Sequence, residues 1–183
     1  MKIWKILSPK VLTTEERPDN LTSDTQAKVK VTQLLLSGTE LRAFTGNPKP
    51  KYPFIPGRFA VGVVGEAGSA CVKVEKNTRV FIHDSIPCGE CERCLTGDSD
   101  SCRNMQIAGV NAEGYMRDFV VTEEENLSPL PPGVSDTEAL FTGIVATGEA
   151  VIDLLHISKG SHIAVFGAGE LGNIIAQLLI YHQ

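Results

Sequence analysis

The chain has 183 residues, 42% of them apolar, and a formal net charge of −5. That length allows one large domain or one and a fraction, with enough apolar material for a real core. The acidic balance argues against nucleic acid or an anionic membrane surface as a partner, and no apolar run is long enough to span a bilayer.

In chain order, the opening stretch MKIWKIL reads as an edge strand and the polar segment Thr13–Thr25 as loop. From Ala27 to Leu35 apolar and charged residues alternate, the pattern of a half-buried strand. Ser37 and Thr39 offer caps to a short helix ending at Gly46, and the proline-rich run NPKPKYPFIPG is loop. Val61–Val64, Val72–Val74, Arg79–Ile82 and Tyr115–Val121 are short β-branched runs suited to a compact barrel. Ser135 and Glu138 form a capping box opening a helix over roughly 136–156, which Gly148 is expected to break or bend. SHIAVF at 161–166 reads as a buried strand, followed by GAGELG and a helical repeat of Leu171, Ile174, Ile175, Leu178 and Leu179. With nothing to cover it, that apolar helix face is expected to be exposed.

Two motifs carry chemistry. Cys88, Cys91, Cys94 and Cys102 are spaced C-x2-C-x2-C-x7-C. Four thiolates bind zinc tetrahedrally and leave no open position, so such a site staples a loop and performs no reaction. Three other readings stay open, each with a feature against it. A disulfide framework suits a secreted chain, and no signal peptide is evident. A ferredoxin cluster expects a three-residue last gap followed by proline. A zinc ribbon that binds nucleic acid expects a basic chain. Cys71, beside Val72 and Val74, reads as a buried structural thiol. Four cysteines in metal spacing suit a reducing, cytosolic compartment.

The second motif is Gly167, Gly169 and Gly172, a G-x-G-x-x-G turn between the predicted strand and helix. There Gly167 would make the tight turn, Gly169 would let a pyrophosphate approach the backbone, and Gly172 would let helix and strand pack closely.

Together with LLLSGTEL at 34–41, PGRFAVGVVGEAG at 56–68, NTRVF at 77–81, GYMRDFVV at 114–121, LSPLPPGVS at 127–135 and VFGAGELG at 165–172, the cysteine lobe resembles the zinc-type alcohol dehydrogenases of the medium-chain dehydrogenase/reductase family. The resemblance implies a mixed α and β chain. A GroES-like β-barrel domain over 1–135, with its zinc lobe at 88–102, would lead through linking helices at 136–160 to a truncated first βα unit of a Rossmann fold at 161–183. It also implies one structural zinc, and NAD or NADP held at Gly167, Gly169, Leu171 and Gly172 in a complete protein. The implied substrate is a small alcohol or carbonyl, and a homo-oligomer is compatible with the family.

The family's catalytic zinc ligands match Ser37, Arg58 and a position near Thr142, none of them a good ligand. That metal is therefore expected to be lost. Thr39 matches the hydroxyl that relays the substrate proton, unless it merely caps the helix. Glu40 is expected to pair with Arg42 or Arg58 on a solvated face. Arg58 could replace zinc as the electrophile, its guanidinium polarising a carbonyl. Two further readings stand beside the oxidoreductase: a non-catalytic, zinc-stabilised binding module, and a reductase resembling the quinone oxidoreductases, which lack the cysteine lobe. The chain alone is expected to be inactive and to bind NAD(P) poorly.

Overall fold

The computed structural model describes residues 1–18, 20, 23–47, 51–158 and 160–182. Parts of two expected loops, at 19, 21–22 and 48–50, lie outside the described residues. The chain divides into two compact units, 1–140 and 141–183.

The first unit is built on β3 (Gln26–Leu35), whose alternation points Ala27 and Val29 into the core. It pairs with β4 (Phe59–Ala67) on one side and β8 (Phe119–Glu123) on the other. β5 (Arg79–Ile82) and β9 (Leu127–Pro129) extend the sheet, giving the antiparallel order β8-β3-β4-β5-β9. Val29, Val61, Val64, Val80 and Ile82 have no exposed surface. Each such side chain contributes about 1.5–3 kcal/mol on burial. The sheet bends where the β3–β4 register shifts twice. Gly62 lies between those irregularities, and a Cβ there would come within 2.4 Å of the Lys30 carbonyl oxygen.

Two sequence expectations change in this unit. Part of the polar loop is a strand: β2 (Val11–Glu16) pairs with β1 (Lys2–Ser8), and single bridges from Ile3 to Arg117 and from Ile6 to Phe54 anchor the hairpin. The ladder to β1 holds β2, and one cross-strand ion pair adds to it: the Glu15 carboxylate takes Lys5 of β1, along with Arg17 two positions further on. Val72–Val74 is not a strand, since the Val72 and Lys73 N–H groups donate to the Glu124 carboxylate at 3.0 and 2.8 Å.

Hydrogen bonds from Lys5 and Arg17 hold Glu15 down to about 2. A depressed carboxylate contributes stability that is present above its ordinary range and lost as pH falls through its folded value. The destabilisation caused by Glu15→Gln should therefore be full at neutral pH and vanish as pH falls toward about 2. Thermal melts of both proteins across that range check this; a penalty independent of pH would contradict it.

The expected single helix over 136–156 is two, α3 (Asp136–Ala139) and α4 (Thr142–Leu155). The Ser135–Glu138 capping box is present. In the second unit α4 runs unbroken through Gly148, so this glycine neither breaks nor ends it. Its role is close approach: a Cβ there would meet Leu178 Cδ1 at 2.8 Å, with Ile174 and Ile175 just behind. The apolar face of α5 (Glu170–Tyr181) is thus partly covered by α4, contrary to the expectation that nothing would cover it. The predicted strand at 161–166 has no ladder, and Phe166 is 97% exposed. A parallel strand takes its hydrogen bonds from neighbouring strands, and the described residues of 141–183 include none.

Candidate functional site

A two-strand clasp, β6 (Ser85–Ile86) with β7 (Gln106–Ile107), ties the base of the cysteine lobe. Within it lie one helical turn, α2 (Glu92–Leu95), and a 3-10 turn at Ser99–Ser101. From Ser85 to Ile107 no residue other than a cysteine is buried, and Leu95 is 74% exposed. No apolar core holds this segment. What it has is sulfur: the Sγ atoms of Cys88, Cys91, Cys94 and Cys102 all lie within 4.8 Å of one another.

The separations are 3.5 Å for Cys88–Cys102, 3.6 Å for Cys91–Cys94, and 3.9 Å for both Cys88–Cys94 and Cys91–Cys102. Zinc–sulfur bonds of about 2.3 Å in a tetrahedron put the sulfurs about 3.8 Å apart. These four sulfurs therefore fit a tetrahedral ion and are too far apart to be disulfides, whose sulfurs sit about 2.05 Å apart.

Backbone N–H groups are aimed at the sulfurs. Those of Cys94 and Arg103 hold the Cys91 thiol down to about 6, and those of Glu90 and Cys91 lower Cys88. The Cys88 N–H also donates to Cys102 Sγ at 3.3 Å. Burial pushes Cys94 up to about 12 when the thiols have only each other. A bound cation would reverse that by stabilising the thiolate.

The positions matched to a second metal are differently occupied. Ser37 is the N-cap of α1 (Gly38–Thr45), its hydroxyl accepting the Thr39 N–H at 3.1 Å and donating to Glu40 Oε2 at 2.5 Å. Glu40 is only 5% exposed and completes a capping box, so it is not paired with Arg42 or Arg58 on a solvated face. The S-x-x-E spacing of Ser37 and Glu40 was the signal for this. Thr39 is exposed, and its hydroxyl accepts from Arg42 at 3.4 Å.

Arg58 donates from Nε and Nη2 to Asp84 Oδ2 at 2.9 and 2.6 Å, with its guanidinium 5.1 Å from the Phe59 ring centroid. Asp84 had not been singled out by sequence reasoning; it lies 26 positions away, with no local pattern to mark it. A hydroxyl committed to a helix cap and a cation already paired with a carboxylate do not fit a zinc ion. The third matched position, Thr142, is the first residue of α4.

None of the four histidines joins a ligand cluster among the described residues. His83 Nε2 meets Ser128 Oγ at 2.8 Å, and His182 pairs with Glu149. His156 caps α4, and His162 lies in the exposed, strandless 161–166 segment. Cys71 is half-buried against the core, its Sγ 3.4 Å from the Gln26 carbonyl oxygen, and burial raises its thiol.

At the glycine motif Gly167 has φ +116°, a conformation open to glycine and strained for other residues. Gly169 is the N-cap of α5. A Cβ on Gly172 would come within 2.1 Å of the Gly167 carbonyl oxygen, so the turn closes only with glycine there. Leu171, in the first turn of α5, is 38% exposed.

Fold and cysteine lobe together define a chain of the alcohol dehydrogenase type. Residues 23–132 match the alcohol dehydrogenase GroES-like domain, and the chain belongs to that family. Starvation-sensing protein RspB of Escherichia coli is 27% identical over 180 residues, covering 98% of this chain and 53% of its own. An alcohol dehydrogenase of Geobacillus stearothermophilus is 31% identical over 144 residues, 76% of this chain and 42% of its own. Among solved structures, galactitol-1-phosphate dehydrogenase of Escherichia coli superposes with a TM-score of 0.86 at 20% identity, covering 99% of this chain and 53% of the other. The NADH complex of RspB from Escherichia coli CFT073 gives 0.84 at 27% identity, covering 98% and 52%. The chain spans about half the length of the relatives it matches.

Proposed function

We propose that this chain is the GroES-like portion of a zinc-type alcohol dehydrogenase-like oxidoreductase that keeps one zinc, held by Cys88, Cys91, Cys94 and Cys102, and no metal at the substrate. The supporting observation is the four-sulfur cage in a segment where no residue other than a cysteine is buried. A closed four-thiolate shell has no position for substrate, so this zinc supplies folding energy alone.

In a complete protein the reaction would interconvert a small alcohol and a carbonyl with NAD or NADP. The pyrophosphate would rest on the Gly167–Gly172 turn, where a glycine backbone and a helix N-terminus favour an anion. Leu171, in the first turn of that helix, would lie beside it. The NADH bound by RspB agrees with this cofactor class. Thr39, exposed at the start of α1, would pass the substrate proton. Arg58 is a weaker electrophile than its charge suggests, because Asp84 already neutralises it. Its better-supported role is to fix β6 to the sheet and keep a second cation out. The cytosol is the compartment that would keep four thiols reduced.

The ion pair at Arg58 also favours a second reading, a zinc-stapled member without redox chemistry that serves as a binding module. Calorimetric titration with NADH and NADPH, followed by turnover assays on short alcohols, tests both. The chain is expected to show neither micromolar affinity nor turnover. Micromolar binding by these residues alone would refute that expectation, and metal-dependent turnover would refute the absence of a second metal.

A further inference from the structure

Between the hairpin, α1 and the segment around Met116 lies a cavity of about 400 Å³ that none of the chemistry above uses. Ile6, Leu12, Leu36, Leu41, Phe44 and Met116 line it, and its polar side chains are Ser37 and Glu40. Neither Thr39, Arg58 nor any cysteine borders it.

Glu40 is the unusual member. It is 5% exposed, and only one of its oxygens is committed: Oε2 accepts the Ser37 N–H at 2.9 Å and the Ser37 hydroxyl. Both hydrogen bonds of Glu40 among the described residues use Oε2, and none uses Oε1. Glu40 lines this cavity, and among the described residues no fully buried side-chain oxygen lacks a partner, which leaves Oε1 facing the cavity. A carboxylate oxygen at the wall of an apolar pocket is a strong acceptor, and here no donor among the described residues meets it. Pockets of this size, mostly apolar with a few convergent polar groups, bind small molecules.

We propose that this cavity binds small apolar amines, the hydrocarbon body lying against Leu36, Leu41, Phe44 and Met116 and the ammonium donating to Glu40 Oε1. An anion is excluded by the carboxylate, and a neutral alcohol makes the weaker, uncharged hydrogen bond. The site is independent of the zinc lobe and of any redox reaction.

The test is calorimetry with three matched probes, hexylammonium, hexanol and hexanoate, on the zinc-loaded chain and on Glu40→Gln. Glutamine at this helix position still completes a capping box, so the variant should fold, and its melting temperature verifies that. Hexylammonium is expected to bind with a dissociation constant on the order of a millimolar, within what a ligand of this size reaches. Hexanoate should bind at least about tenfold more weakly, and Glu40→Gln should weaken hexylammonium by about tenfold, the worth of a hydrogen bond to a charged group. Amide shifts at Leu41 and Phe44 on titration would place the ligand here. Equal affinity for all three probes, unchanged by Glu40→Gln, would reduce the cavity to a greasy surface and overturn the proposal. So would absence of hexylammonium binding by the folded wild-type chain, whatever the variant does.

Discussion

Glu124→Ala is expected to lower the unfolding free energy by roughly 2–3 kcal/mol, the worth of the charge-assisted hydrogen bonds that two backbone donors lose when they are left to water. Glu124 is 5% exposed, and its carboxylate takes the N–H groups of Val72 and Lys73 across more than fifty residues of sequence. Those two bonds hold a segment that has no strand ladder. Just after it, Val74 belongs to the core cluster with Val64, Val80 and Ile82. Glu124→Gln keeps a carbonyl oxygen in place and should lose only about half as much, since an uncharged acceptor makes a weaker bond. Urea denaturation midpoints of the three proteins decide the matter. Equal stability of wild type and Glu124→Ala would mean that water replaces the carboxylate at no cost.

The second large effect concerns the lobe. Removing zinc with a chelator under reducing conditions should release Ser85–Ile107 while leaving the five-stranded sheet folded. Apart from its cysteines the lobe has no buried side chain to fall back on, whereas the sheet packs around Val29, Val61, Val80 and Ile82. Structural zinc binding contributes roughly 10–16 kcal/mol in small zinc-dependent peptides, far more than the short α2 turn or the β6–β7 clasp provides. Hydrogen exchange followed by mass spectrometry should show rapid exchange within 88–102 and unchanged protection in β3 and β4. Unchanged protection in the lobe would show that the segment holds itself together without metal.

What was legible in the sequence follows from how local each feature is. The cysteine spacing lies within one short segment, 88–102, and the structure brings its four sulfurs within 4.8 Å of one another. The alternation of Ala27–Leu35 and the Ser135–Glu138 box are equally local, and each is found where it was expected. The misreadings are non-local. β2 has little apolar periodicity and is held by its antiparallel ladder to β1, a pairing its own residues do not announce. Val72–Val74 has strand composition, yet its donors are taken by a carboxylate from a distant turn. Glu40 carried a local signal, its spacing from Ser37, and placing it on a solvated face overlooked that. Gly148 illustrates the limit most clearly. Its lack of a side chain reads as a helix break in one dimension, and in three it is the seat for Leu178. The pairing of Arg58 with Asp84 left no trace in either residue's neighbourhood, though the proposal of a single metal rests on it.

Zinc content per chain, by elemental mass spectrometry on protein kept reduced, tests the single-metal reading most directly, with Cys94→Ser as control. One zinc per chain, absent from Cys94→Ser, is the predicted result. Two zincs, one of them surviving Cys94→Ser, would contradict it by showing that Ser37, Arg58 and Asp84 do not close the second site. No zinc at all would mean that the four sulfurs gather for another reason.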